Sequence, residues 1–361
     1  MDSIIRISGG EPEFDTPHHI IDAMKRALDE GHTHYGDFAG VMELREAIAG
    51  KYEGYGVKAE PEHVLVTPGS TQGIYQTLKV VTRPGDDVLC MDPCFFAYHS
   101  TFEFLGLNAV TVPRYSEEGW RFHVDELGEA VTPRTRAILY ASPDNPTGAV
   151  LSEEDIMGIA EVAENSDLYV ISDDIYDMIT YDGVRFRSIA SLSSMQERTL
   201  ILNGFSKSYA MTGWRLGYII APTKELYDRL MTIQMATYLV VNAAVQRAGV
   251  AALTGPQDCV HEMVKSYDEK RRYVLDRYEE IDGIVCHSPQ GAFYMFPDAS
   301  SYGMSSVKLC EILLKEGKVA VMDGRAFGSM GEGHYRQAFA QSMEALSEGL
   351  DRIERTLGKL R

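Results

Sequence analysis

Asn203-Gly-Phe-Ser-Lys-Ser-Tyr-Ala-Met-Thr-Gly-Trp-Arg-Leu-Gly-Tyr218 sets one lysine, Lys207, and one arginine, Arg215, among small uncharged neighbours, directly after the apolar run Thr199-Leu-Ile-Leu202. A lysine at the end of a predicted strand is shielded from water in a way that a helix-face lysine is not, and desolvation favours a nucleophilic amine. Arg215 stays charged and can hold a phosphate through two parallel hydrogen bonds. A solvated lysine near a strand end is the plain alternative for Lys207 taken alone, and the run around it argues against that.

On either side the chain alternates short apolar runs with helical patterns. Runs at 63–67, 87–91, 108–113, 136–141, 168–172, 199–202 and 216–221 predict strands. Their alternation with helices predicts an α/β fold around a mostly parallel seven-stranded sheet. In such sheets ligands bind beyond the carboxyl ends of the strands. Ser70, Phe95, Asn145, Asp173 and Lys207 each fall within a few residues after a predicted strand, so five chemically suitable side chains converge on one edge. A helical stretch at about 262–280 leads into a second region, with apolar segments at 283–286, 291–296, 318–322 and 335–340 and a closing helix. The expected organisation is a large α/β domain over 36–265 and a smaller α+β domain built from 1–35 and 266–361.

A nucleophilic lysine beside a phosphate clamp suggests pyridoxal phosphate. That cofactor also demands an acid against its ring nitrogen, donors for its phenolic oxygen, a ring on its face and further donors for its phosphate. Asp173, after Leu168-Tyr-Val-Ile171, is the acid candidate, although an Asp there could instead cap a turn. Asn145 in Ser142-Pro-Asp-Asn-Pro-Thr-Gly148 and Tyr176 in Asp173-Asp-Ile-Tyr176 suit the oxygen. The loop Thr67-Pro-Gly-Ser-Thr-Gln-Gly73 passes from strand to helix, an arrangement that turns free backbone N–H groups toward a phosphate. Phe95 in Asp92-Pro-Cys-Phe-Phe-Ala-Tyr98 is the candidate stacking ring, with Phe96 its competitor.

Together these segments resemble the class I and II aminotransferases, the fold-type I pyridoxal-phosphate enzymes. The match runs from Ser8-Gly-Gly-Glu-Pro-Glu-Phe-Asp-Thr-Pro17 to Tyr335-Arg-Gln-Ala-Phe-Ala340. The resemblance implies Lys207 as Schiff-base lysine and proton shuttle, Asp173 on the ring nitrogen, and Asn145 and Tyr176 on the ring oxygen. It assigns the phosphate to Ser70, Thr71, Ser206 and Arg215, and implies that Tyr35 reaches the phosphate of the neighbouring subunit of a homodimer. Arg336 would bind the substrate α-carboxylate, with Gly10 and Asn145 nearby. The implied reaction is a ping-pong transfer of an amino group between an L-amino acid and a 2-oxo acid, with glutamate and 2-oxoglutarate as one pair. A β-eliminating carbon–sulfur lyase on the same fold and a non-catalytic cofactor-binding regulator are the alternatives.

The chain departs from the family pattern in places. Gly204 stands where many relatives carry a serine, which removes one phosphate donor, and Ala338 replaces a small hydroxyl residue ahead of an aromatic. Thr71 holds the position at which one subgroup places a lysine for a distal carboxylate, arguing against dicarboxylate preference by that route. No longer amino-terminal arm is expected ahead of Ile4 to pack on a partner subunit.

Composition agrees with an ordinary globular chain: 361 residues predict two domains, and 45% apolar residues suffice for sizeable cores. A net charge of −19 argues against a nucleic-acid surface. No apolar run approaches the ~20 residues that span a bilayer. The five scattered cysteines and the absence of a leader before Ile4 favour a reduced, cytoplasmic setting. His18-His19 and His32-Thr-His34 lack cysteine or acidic partners at ligand spacing, so no metal is expected. Cys90 and Cys94 read as buried small residues rather than a redox pair.

Overall fold

The computed structural model describes residues 3–360. In chain order its strands are β1 (Ile5–Arg6), β2 (Val64–Thr67), β3 (Asp87–Asp92), β4 (Asn108–Pro113), β5 (Thr135–Ala141), β6 (Tyr169–Asp173), β7 (Thr199–Gly204), β8 (Gly217–Ile220), β9 (Tyr294–Met295), β10 (Val319–Ala320), β11 (Met322–Asp323) and β12 (Tyr335–Ala338). Seven of them form one sheet in the order β2-β8-β7-β6-β5-β3-β4. All run in the same direction except β8, which is antiparallel to both its neighbours.

The Val-, Ile- and Leu-rich runs of β3 and β7 are buried at every residue, as expected of strands covered by helices on both faces. β4 lies at the edge, exposes Asn108 and Ala109, and closes on Pro113, a residue that an edge strand tolerates because its missing N–H is not needed by a further neighbour. The long helix Asp258–Glu279 buries Val260, Met263, Tyr267, Val274 and Tyr278, three or four residues apart for the most part, and so turns one stripe toward the protein.

Beyond this helix β1 pairs in parallel with β10, and β11, β12 and β9 form a small antiparallel sheet. Ile7 from the start of the chain, Tyr267 and Phe293 from its middle and Leu346 and Ile353 from its last helix share one apolar core. The stretch 318–322, expected as a single strand, is divided. Val319 and Ala320 join β1, whereas Met322 and Asp323 join β12, so the chain changes sheets at Val321. The segment 283–286 forms only an isolated bridge from Val285 to Asp298. Among the described residues no helix is long and apolar enough to cross a membrane.

Candidate active site

A cleft of about 500 Å3 opens at the carboxyl edge of the large sheet, and eleven of the twelve residues singled out in the sequence line it. Topology explains the convergence. Ser70 follows β2, Phe95 follows β3, Asn145 follows β5, Asp173 ends β6 and Lys207 follows β7. Because β8 is antiparallel, with Gly217 opposite Gly204, its beginning lies at this same edge and brings Arg215 beside Lys207. Tyr35 is the exception: it lies outside the cleft and is 79% exposed.

One end of the cleft is built for an anion. The helix Ser70–Val81 starts after Gly69 with no side chain capping it, which leaves its first N–H groups to a ligand. Ser70, Thr71, Ser206 and Arg215 surround this end. The packing is close: a Cβ on Gly217 would lie 2.6 Å from the carbonyl carbon of Gly69 and from the Ser70 nitrogen, both main-chain atoms, and one on Gly69 would lie 2.5 Å from the Arg215 side-chain Nη2. Arg215 itself adopts a left-handed backbone at φ 53, a strain of roughly 1–3 kcal/mol for a residue with a side chain. Arg215 Nη1 donates to the Thr212 carbonyl at 2.9 Å, and Trp214 Nε1 donates to Thr16 Oγ1 at 2.9 Å; both contacts hold the turn.

The deep end holds an acid. Asp173 is buried, and its Oδ2 accepts from the Tyr98 hydroxyl at 2.8 Å. Burial pushes its carboxyl up to about 6, against the lowering pull of the Tyr98 hydrogen bond, the Ile175 N–H and the Lys207 charge. A carboxyl so poised ionises readily when a positive charge is brought against it.

Between these ends Lys207 Nζ donates to the Gly10 carbonyl at 2.5 Å. The Tyr176 hydroxyl lies 2.7 Å from that of Tyr294. Arg336 donates from Nη1 to Asn145 Oδ1 and from Nη2 to the Ser8 carbonyl, both at 2.8 Å, while its buried Nε has no partner among the described residues. The cleft therefore offers an anion cradle, a central amine, a buried carboxyl and a second guanidinium. That set fits pyridoxal phosphate together with a substrate carboxylate. Among the described residues no group of three or more His, Cys, Asp or Glu could hold a metal.

Among the cleft residues not singled out in the sequence are Tyr98, Glu11 and Tyr294. Tyr98 lies one helical turn beyond Phe95 and meets it edge-on at 5.6 Å, so the i, i+3 spacing from Phe95 would have found it. Glu11 adjoins Gly10, and its carboxylate accepts from the Thr212 hydroxyl. Tyr294 carries no local signal beyond its place in an apolar segment. Phe95 and Phe96 both line the cleft, and Phe96 also packs against Phe327 at 6.1 Å.

Comparison with known proteins gives the same picture. The family model "Aminotransferase class I and II" matches residues 2–353. The chain is 41% identical to aromatic-amino-acid aminotransferase 2 of Thermococcus litoralis and 42% identical to aspartate aminotransferase of Pyrococcus abyssi, in each case over 99% of this chain and 92% of the relative. The crystal structure of an aromatic aminotransferase from Pyrococcus horikoshii superposes with a TM-score of 0.96 at 43% identity, covering 99% of this chain and 96% of that one. The chain therefore belongs to the class I and II aminotransferases, pyridoxal-phosphate-dependent enzymes of fold type I.

Proposed function

We propose that this enzyme moves an amino group between an L-amino acid and a 2-oxo acid in a ping-pong sequence, with glutamate and 2-oxoglutarate as one pair and Lys207 as the amine that carries the cofactor. The observation that supports this most is the position of Lys207, which lies in one cleft with the buried Asp173 carboxyl and with the Arg336 guanidinium. When bound, pyridoxal phosphate supplies an aldehyde for amines and an electron-accepting ring. Asp173 would pair with the ring nitrogen, Asn145 and Tyr176 with the ring oxygen, and Ser70, Thr71, Ser206 and Arg215 with the phosphate, leaving Phe95 to cover the ring face. Arg336, with Gly10 and Asn145 beside it, would grip the substrate α-carboxylate and so aim the Cα–H bond toward Lys207 Nζ, which takes up that proton and gives it back. As each oxo acid leaves before the next enters, one site serves both half-reactions.

The relatives are named for aromatic amino acids and for aspartate. Around Arg336 the surroundings are apolar: Phe327 lies 4.9 Å from its guanidinium, Met322 stands opposite it in the strand ladder, and Lys207, Arg215 and Arg336 are the only cations among the described lining residues. That lining favours an aromatic or other apolar donor. The same reading includes a homodimer in which the exposed Tyr35 serves the neighbouring site, a large domain over 36–265 with a smaller one from 1–35 and 266–361, and a cytoplasmic setting suited to five free cysteines.

An absorbance titration of the loaded protein with single amino acids tests the proposal. Conversion of the visible band without ammonia release, reversed by 2-oxoglutarate, is the expected outcome. Ammonia and an oxo acid from one substrate alone would assign the chain to the lyases instead, and no conversion by any amino acid would favour a regulator.

A further inference from the structure

Tyr294 lines the cleft between Tyr176 and Arg336, and we propose that it is a positioning residue that orients the Tyr176 proton and supports the Arg336 guanidinium, a role that rests on the reading of Lys207 and Tyr176 given above. Its side chain is almost wholly buried, and its hydroxyl lies 2.7 Å from that of Tyr176. Its ring carries the Arg336 guanidinium at 4.3 Å. The small sheet dictates this arrangement. Tyr294 on β9 pairs with Ala338 on β12, and Arg336 lies two residues along β12 on the same face, within diagonal reach of a long side chain.

A phenol has one proton to donate. For Tyr176 to donate its own into the cleft, its oxygen must accept from Tyr294, whose hydroxyl has that one hydrogen-bond partner among the described residues. The order Tyr294 to Tyr176 to cofactor ring oxygen follows, and a donor that is itself a hydrogen-bond acceptor is the stronger for it, by about 10–30%. The ring beneath Arg336 acts separately, as an aromatic face against a cation, both side chains being buried. Two substitutions separate the parts. Tyr294→Phe removes the hydroxyl and keeps the ring, whereas Tyr294→Leu removes both.

The test follows the visible absorbance band of the loaded enzyme against pH, alongside kcat and KM for the amino donor and the melting temperature. Weaker donation to the anionic ring oxygen raises the proton affinity of the lysine-linked nitrogen that shares it, so Tyr294→Phe moves the midpoint of the band upward by roughly a few tenths of a pH unit. Its KM stays within about twofold of wild type, because the stacked ring remains. Tyr294→Leu shows the same upward shift together with a KM increased about tenfold. A structural role alone would lower the melting temperature and leave the midpoint in place. A Tyr294→Phe midpoint equal to that of wild type overturns the role of Tyr294. A wild-type band that does not respond to pH overturns both this role and the reading of Lys207 on which it rests.

Discussion

Gly217→Ala puts the backbone cradle at the anion end to a direct test. The added Cβ would lie 2.6 Å from the carbonyl carbon of Gly69 and from the Ser70 nitrogen, and 2.9 Å from Gly69 Cα. All three are main-chain atoms, with no flexible tip to swing aside. Ordinary contact needs 3.4 Å or more, so the loop and β8 must separate by close to an ångström, and overpacking of this kind costs about 1–3 kcal/mol. β8 is held on both sides, by β2 and by β7, which leaves the loop between β2 and the helix Ser70–Val81 to move. That movement takes the Ser70 N–H off the line proposed for the cofactor phosphate. Losing one hydrogen bond to a charged group, at about 1.5–3 kcal/mol, weakens cofactor binding by roughly 10- to 100-fold. Gly213 lies in the same sixteen-residue run, and a Cβ there meets nothing within 4 Å, so Gly213→Ala is the control, expected to bind cofactor within about threefold of wild type. Equilibrium titration of the apoprotein with pyridoxal phosphate, read by absorbance, gives both affinities, and melting without cofactor separates binding from folding. A Gly217→Ala protein that binds as tightly as Gly213→Ala, with the melting temperature of wild type, would refute the close-approach argument.

Further outcomes follow from the same geometry. Burial raises the Asp173 carboxyl to about 6, above its ordinary 3.8, so the folded apoprotein holds a proton there that the unfolded chain has already lost. Its stability contribution is therefore full below about pH 4 and is lost as pH rises through 6, by at most about 3 kcal/mol; urea unfolding of the apoprotein across that window should show the decline, and Asp173→Asn should flatten it. Arg336→Lys removes the planar fork that engages Asn145 and Ser8 and that is proposed to take the substrate carboxylate; a fall in kcat/KM of roughly 100-fold, mostly in KM, is expected from steady-state kinetics. Gly204→Ser introduces a hydroxyl, yet its Cβ would meet the Leu216 carbonyl at 3.0 Å and Ile175 Cδ1 at 3.3 Å; the melting temperature should fall and cofactor affinity should not improve, for a cost of about 1–2 kcal/mol.

What could be read from the chain alone was whatever depends on local order and periodicity. Apolar runs such as Val170–Ile171 and Leu200–Leu202 are strands because only a doubly covered sheet buries them, and in a parallel sheet every residue that follows a strand arrives at one edge. Ser70, Asn145, Asp173 and Lys207 were therefore brought together by connectivity before any contact was known. The direction of β8 could not be read in that way, because a short turn and an apolar run serve either direction, yet that direction carries Arg215 to the cleft. Tyr294 and Ser8 were equally hidden. The Ser8 carbonyl meets a guanidinium 328 residues further along, and the Tyr294 hydroxyl meets a phenol 118 residues earlier. Such pairings are set by how β12 and β9 align and by how the first strand docks on the last helix, and no spacing along the chain encodes them. Local chemistry determined which side chains could do the work of an aminotransferase, and the packing of distant segments decided which buried partners hold them in place.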